Sequence, residues 1–279
     1  MTEPVLLRQY VPLEAYKPRV YLNGFPKAGL HMLEQMVKVM LAPSASGTNG
    51  SPWLGTYKWH SWSKDWQRLD TYLWRMSCLE RGAYMMGHSG YHKKIRRLLD
   101  YANIGHIFLY RDLRDIAVSQ THHIVDDNEN GWAHEHKDLY RMLGGFDEAL
   151  MAVIEGLGPY PGVVSRWEEY APWRNVEGTL VITYEQMRSE PDRTAGAIIL
   201  YLLKRATRLL EGNTYGVEMA PEDVRKLAGQ MVEATGKPSG TFRRGVAGGW
   251  RDEFKPEHIE AFKRSDPDNW LERLGYSWQ

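Results

Sequence analysis

The sequence predicts a three-layer α/β/α fold, with helices on both faces of a central parallel sheet. Two features carry that expectation. First, short apolar or β-branched runs at 19–23, 83–87, 105–110 and 178–183 each end in polar residues and lead on to a helical pattern. That alternation marks βαβ units, whose crossovers return the chain to the same edge so that the strands pair in parallel. Second, the polar clusters fall just after the strands, where open parallel sheets bind their ligands. With 279 residues and 43% hydrophobic content, a single domain over 1–279 has ample material for a core.

Residues 1–18 carry Pro4, Pro12 and Pro18 and read as an irregular arm before the first strand, Arg19 to Asn23. Gly24-Phe25-Pro26-Lys27-Ala28-Gly29 is a Gly/Pro turn. Leu30, Leu33, Met36, Val37, Met40 and Leu41 then share one helical face. Strand, lysine-bearing loop and helix in succession aim backbone N–H groups and a helix N-terminus at an anion. Lys27 adds a full positive charge, so the loop is read as a phosphate- or sulfate-binding cradle.

Residues 42–67 break the alternation. Their first half is Ser/Gly/Pro-rich and reads as a loop. Their second half holds Trp53, Tyr57, Trp59, Trp62 and Trp66, and the segment is expected to form a lid or acceptor loop. A helix over Leu69 to Arg81 leads to the second strand, Ala83 to Gly87, which ends at His88. A basic helix, His92 to Asp100, precedes the third strand, Gly105 to Tyr110, which runs into Arg111 and a helix from Ile116 to His123. Lys27, His88 and Arg111 thus lie just past strand ends and are expected to meet in one crevice. The strand Gly178 to Thr183 leads to Tyr184. Helices are expected at 192–210 and at 221–234, where Pro221 suits the first helical position. A Gly/Arg-rich loop at 236–250 and two short helices close the chain.

The bulk numbers exclude several classes. Thirty-five basic and 35 acidic residues give zero net charge, which argues against a nucleic-acid binder. No apolar run approaches the ~18 residues of a membrane span, and the first residues lack the basic and apolar regions of a secretory signal. The one cysteine, Cys78, precludes an intrachain disulfide and suits a reducing compartment, so a cytoplasmic setting is expected. Cys78 itself is expected to be a small buried hydrophobe.

Three motifs bear on chemistry. The lysine loop lacks the Ser/Thr that follows the lysine of a Walker loop and binds Mg²⁺, which disfavours a metal-dependent NTPase. Arg111, with Ser119 eight residues on, offers a guanidinium fork and a hydroxyl donor to a phosphate. Arg243, Arg244 and Gly245, in a glycine-rich loop, suit the wrapping of a phosphate by side chains and backbone amides. His122, His123, His134 and His136 lack an i,i+4 pair, so they read as solvated loop or pocket residues and no metal site is expected.

In order and separation these motifs resemble those of the cytosolic-type sulfotransferases that use 3′-phosphoadenosine-5′-phosphosulfate (PAPS), a family with a P-loop-like fold. Gly24 to Met32 stands in place of the family's Tyr-Pro-Lys-Ser-Gly-Thr-Thr-Trp loop. Arg111, Asp115 and Ser119 match its Arg-x-x-x-Asp-x-x-x-Ser element, and Arg243 to Trp250 its Arg-Lys-Gly-x-x-Gly-x-Trp loop with one Lys-to-Arg change. The resemblance implies metal-free in-line transfer of a sulfuryl group to a hydroxyl of a phenol, alcohol, sterol or sugar, releasing PAP. It implies that Pro26, Lys27, Ala28, Gly29, Leu30 and His31 hold the phosphosulfate and that Lys27 stabilises the leaving group. It makes His88 the base, sets Ser119 against Lys27, and assigns Arg111, Ser119, Arg243, Arg244 and Gly245 to the 3′-phosphate. It puts Tyr184 on the nucleotide.

The departures are specific. Ala28 and Leu30 replace hydroxyl residues, which leaves His31 as a substitute donor, and Met32 replaces the tryptophan that stacks on adenine. Met86 and Gly87 stand where many cytosolic members have lysine and threonine, and Ser89-Gly90-Tyr91 replaces Leu-Pro. The dimerisation motif of animal cytosolic members is absent from Asp252 to Gln279. The substituted loop keeps two other readings open: an ATP-dependent small-molecule kinase, and a non-catalytic nucleotide-binding protein of the same fold.

Overall fold

The computed structural model describes residues 18–41, 53–59, 66–125, 137–208, 219–236 and 245–279, with backbone alone at 53–59, 66–68 and 207–208. In chain order the first half contains β1 (Arg19–Gly24), α1 (Leu30–Leu41), β2 (Trp53–Trp59), α2 (Trp66–Ser77), β3 (Tyr84–Ser89), α3 (Lys93–Tyr101), β4 (Ile104–Tyr110) and α4 (Leu113–Val125). The second half contains α5 (Lys137–Arg141), α6 (Phe146–Glu155), β5 (Gly156–Leu157), β6 (Tyr160–Pro161), α7 (Val163–Tyr170), β7 (Thr179–Thr183), α8 (Tyr184–Ser189) and α9 (Pro191–Arg208). Then come α10 (Pro221–Ala234), α11 (Pro256–Ser265) and α12 (Trp270–Arg273), with short 3₁₀ turns at Ala171–Asn175 and Gly249–Asp252.

The main sheet has the order β2-β3-β1-β4-β7, and every neighbouring pair is parallel. The chain leaves β1, builds β2 and β3 on one side, and then crosses to β4 on the other. The carboxyl ends of the strands beside β1 therefore flank a topological switch point, the place where such sheets open a ligand crevice. Val20, Tyr21 and Leu22 of β1 and Ile104, Ile107, Phe108 and Leu109 of β4 are buried, as central parallel strands covered on both faces must be.

Helix α1 buries the predicted stripe of Leu30, Leu33, Met36, Val37, Met40 and Leu41. Helix α4 differs. It buries Leu113, Ile116, Ala117, Val118 and Ile124, but also Arg114, Asp115, Gln120 and Thr121. Charges taken that far from water require partners, and these partners shape the site.

Three expectations need correction. The aromatic half of segment 42–67 is not all loop: Trp53–Trp59 is edge strand β2, and α2 already begins at Trp66. Its aromatic and β-branched content favours a strand, while Gly55 lies where the register slips between Trp53 and Thr56. The remaining residues of that segment lie outside the described residues. Second, the β3 strand does not stop before His88. Lys58 pairs with His88 and Trp59 with Ser89, so the ladder to β2 carries both polar residues inside the strand. Third, Cys78 is exposed. It sits just past α2, its N–H donating to Trp74 O at 3.1 Å, on an outward turn beside exposed Ser77. Among the described residues no helix is long and apolar enough to cross a membrane.

Candidate active site

The lysine loop hangs between β1 and α1. Past the end of β1, Phe25 N–H donates to Leu109 O at 3.0 Å, and Ala28 N–H closes the turn onto Phe25 O at 3.0 Å. Lys27 has φ 70° and Gly29 φ 95°. The first is uncommon for a residue with a side chain, and such conformations persist where surrounding structure enforces them. A Cβ on Gly29 would lie 2.7 Å from Tyr184 Cδ2, so glycine is what lets the Tyr184 ring lie against the loop. The first N–H groups of α1, at Leu30 and His31, have no intrahelical partner.

The departures in this loop have a structural account. Ala28 and Leu30, which stand where the resemblance expects hydroxyl residues, are buried in the core. His31 is half exposed, with Nδ1 3.2 Å from Glu34 Oε2. Burial alone raises the Glu34 carboxyl, but hydrogen bonds from His31, Lys38 and Tyr84 outweigh it and hold it at about 2. The His31 ring is thus engaged with Glu34.

Strand β3 lies beside β1 with Gly87 opposite Asn23, which sets His88 next to Gly24. His88 Nδ1 is 2.7 Å from Gly24 O. A carbonyl only accepts, so Nδ1 carries the proton, and in the neutral ring the lone pair sits on Nε2. The strand behind the ring is pinned by buried polar groups. Asn23 Nδ2 donates to Ser89 O at 3.1 Å, and Ser89 N–H donates to Asn23 Oδ1 at 3.0 Å. Trp173 Nε1 donates to the same Ser89 carbonyl at 3.0 Å. Ser89 Oγ shares a 2.5 Å hydrogen bond with the Tyr21 hydroxyl, and the Tyr72 hydroxyl bonds to both. Burial raises the Tyr21 and Tyr72 hydroxyls far above their ordinary range, so they stay protonated. A side chain at Gly87 would run into both tyrosine hydroxyls, which accounts for glycine at this position. Sequence reasoning missed this network. Its one visible cue was Asn23, a polar residue ending an apolar strand.

Beyond β4, Arg111 Nη2 donates to Asp115 Oδ2 at 3.1 Å and to Val246 O at 2.6 Å. Its guanidinium stands 4.2 Å over the Tyr184 ring, while its Nε is buried without a partner among the described residues. Asp115 also accepts Gly248 N–H at 2.7 Å and Trp250 N–H at 2.9 Å. Arg114 is buried in a fork with Asp112, Nη2 to Oδ2 at 2.7 Å and Nε to Oδ1 at 3.0 Å. It stacks at 3.9 Å on Trp250 and 4.8 Å on Trp278, and donates to Ser277 O at 2.8 Å. Glu185 accepts Asp112 N–H at 3.1 Å and the Tyr276 hydroxyl at 2.8 Å. The start of α4 thus ties the late glycine-rich segment and residues 276–278 to the sheet.

Of the predicted residues, the structure joins Gly29, Tyr184 and Arg111 in one stack and links His88 to the root of the lysine loop. Gly245 borders the segment bonded to Arg111, and Ser119 lies half-buried on α4. Met32 is partly buried against the core. Arg243, Arg244, His134 and His136 lie outside the described residues. His122 packs on Phe146 at 4.5 Å, with Nε2 3.4 Å from Glu253 Oε1.

The fold is shared with solved structures. Mouse sulfotransferase SULT7A1 complexed with PAP is similar over 95% of this chain and 88% of its own, at 17% identity and a TM-score of 0.57. Retinol dehydratase in complex with androsterone and the inactive cofactor PAP is similar over 90% and 80%, at 15% identity and a TM-score of 0.53. Retinol dehydratase with retinol and PAP is similar over 94% and 83%, at 14% identity and a TM-score of 0.51. No curated protein sequence matches the chain. The sulfotransferase domain family, however, matches residues 17–265, from the strand before the lysine loop through α11, and by that match the chain belongs to the sulfotransferase family.

Proposed function

We propose that this chain moves the sulfuryl group of PAPS to a hydroxyl of a small-molecule or carbohydrate acceptor, without a metal. The observation that carries this reading is the 2.7 Å bond from His88 Nδ1 to Gly24 O. In the neutral ring that bond leaves Nε2 as the proton acceptor, which supports a base role for His88 beside the root of the lysine loop. The similar solved structures hold PAP, and two of them hold androsterone or retinol, which supports a nucleotide co-substrate and a hydroxyl acceptor.

The residues fit the nucleotide. The loop from Pro26 to His31 offers backbone donors and the Lys27 charge to the phosphosulfate. The unpartnered Arg111 Nε, with Ser119, Arg243, Arg244 and Gly245, suits the 3′-phosphate, and Tyr184 the nucleoside. PAPS, when bound, supplies the sulfuryl group and a leaving phosphate. His88 Nε2 takes the acceptor hydroxyl proton as the oxygen bonds to sulfur. Lys27 stabilises the charge that grows on the bridging oxygen as the sulfur–oxygen bond breaks, a point charge in a site of low dielectric. Ser119 engages Lys27 between turnovers. Within 42–67, strand β2 at the sheet edge beside β3 supports an acceptor-side role for the segment, and 236–250 serves as the loop that closes on the nucleotide. The single cysteine supports a cytoplasmic setting.

A thermal-shift comparison tests the class. PAP is expected to stabilise the chain and Mg²⁺-ATP is not; the reverse result would make it a kinase, and no shift with either would make it non-catalytic. Lys27→Ala and His88→Ala are expected to abolish sulfation of an acceptor panel while melting cooperatively. A near wild-type rate in His88→Ala would remove the base assignment.

A further inference from the structure

Helix α7 carries a buried cation that the chemistry above does not use. Arg166 is 1% exposed, and among the described residues it pairs with no carboxylate. Its Nη1 donates to the Tyr160 hydroxyl at 3.1 Å, but its Nε and Nη2 are buried without acceptors among the described residues. Gln120 Nε2 donates to the same Tyr160 hydroxyl at 2.8 Å, and Gln120 Oε1 has no partner among the described residues. The Tyr140 hydroxyl, within the field of Arg166 and Tyr160, is also buried and has no hydrogen-bond partner among the described residues. A guanidinium removed from water without a counter-charge is costly, and each unsatisfied donor adds to the cost. Three unused donors around a full positive charge call for an anion with several oxygens, since a water molecule would satisfy donors without neutralising the charge.

The position links this cluster to the site. The Arg166 guanidinium lies 5.9 Å from the ring centre of Phe25, the residue before Pro26-Lys27, and Gln120 directly follows Ser119. Tyr160 is only partly buried and covers the guanidinium at 4.9 Å from the two-stranded hairpin β5–β6. That hairpin spans a few residues and turns through Gly156 and Gly158 at positive φ, so Tyr160 is carried by a short surface turn and not by the sheet or a helix.

We propose that Arg166, with Tyr140 and Gln120, receives a carboxylate or sulfate group of the acceptor, which displaces Tyr160 from the guanidinium. This rests on the sulfotransferase reading and narrows the acceptor to hydroxyl compounds that also carry an acidic group.

The test compares 2-naphthol with 6-hydroxy-2-naphthoate as acceptors for the wild type and Arg166→Met. The wild type is expected to favour the carboxylated acceptor in kcat/KM by roughly tenfold or more, as a charge-assisted bond implies. In Arg166→Met that ratio is expected to fall near one while the thermal shift produced by PAP persists. A wild type that favours 2-naphthol, or a ratio unchanged in Arg166→Met, overturns the proposal. Should Arg166→Met not fold, calorimetry on the PAP-bound wild type decides. Binding of 2-naphthoate in competition with the acceptor supports the site, and no binding overturns it. Equal stabilisation by inorganic sulfate alone would mark a free-anion site and overturn the acceptor assignment. Absence of PAP binding would instead sink the parent reading, and this proposal with it.

Discussion

Asp115 and Trp250 are joined across the fold: Trp250 N–H donates to Asp115 Oδ1 at 2.9 Å, while Asp115 Oδ2 holds Gly248 N–H at 2.7 Å and Arg111 Nη2 at 3.1 Å. One buried carboxylate therefore positions both the arginine past β4 and the segment proposed to close on the nucleotide. Asp115→Asn keeps the shape but turns one acceptor into a donor and removes the charge opposite Arg111. We expect a loss of about 2–3 kcal/mol in stability, because a backbone N–H is left facing an amide N–H. PAP affinity is expected to fall about tenfold as Arg111 and the segment loosen. Urea denaturation and PAP calorimetry check both; two unchanged values would show that Asp115 organises nothing.

Gly29 tests the stack on the lysine loop. Its φ of 95° is unfavourable for any L side chain, and an added Cβ would lie 2.7 Å from Tyr184 Cδ2. Gly29→Ala is expected to cost roughly 1–3 kcal/mol from backbone strain alone, with the ring clash added. Truncating the ring in the double variant Gly29→Ala/Tyr184→Ala should relieve the clash and leave the strain. A double-mutant cycle is expected to show coupling above ~0.5 kcal/mol, and strict additivity would place the ring away from the loop.

Much of this was legible in the sequence because the signals were local. The apolar stripe from Leu30 to Leu41 announced α1, and the Gly/Pro composition of Gly24 to Gly29 announced the turn before it. What was not legible arises from partners distant in sequence. Nothing near Asp115 shows that its acceptors will be filled by Gly248 and Trp250. Nothing near His88 shows that Gly24 O will fix its tautomer or that Ser89 will bond Tyr21 and Tyr72. Edge strand β2 was hidden because a Ser/Gly/Pro-rich stretch precedes it and a register shift interrupts its pairing. Ala28 and Leu30 looked like losses of function from the sequence, yet their burial makes them core residues.

Arg114 fastens residues 277–278 to the start of α4 through Asp112, Trp250 and Trp278. Arg114→Leu leaves the Asp112 carboxylate buried without its partner. That loss is expected to cost about 3–5 kcal/mol, the usual penalty for breaking one side of a buried ion pair. Trp278→Ala, which leaves the ion pair intact, should cost less than Arg114→Leu. Chemical denaturation of the two variants ranks them; the opposite order would make the ring, rather than the ion pair, the main tie.

His106 gives the fold a defined acid sensitivity. It sits buried on β4, stacked 5.2 Å from the Tyr21 ring, with Nδ1 3.0 Å from Thr179 Oγ1 and Nε2 without a partner among the described residues. Burial, with the nearby Arg205 charge, pushes its imidazole from the ordinary 6.5 down to about 3. The folded chain therefore refuses a proton that the unfolded chain accepts, so acid favours unfolding. Above pH 6.5 both states are neutral and the group adds no pH dependence. Below it, stability falls by up to about 1.4 kcal/mol per pH unit until the folded form titrates as well. His106→Phe keeps a ring against Tyr21, and the Tyr201 hydroxyl bonds to the residue 106 backbone persist. The variant loses the Thr179 bond and is expected to be less stable than the wild type at pH 8. Because the phenyl ring cannot take a proton in either state, its deficit should shrink steadily from pH 6.5 towards pH 4. Other carboxylates, Glu34 included, titrate alike in both proteins and cancel. Urea denaturation of the pair across this range measures the narrowing; parallel stability curves would mean that His106 is protonated in the folded chain.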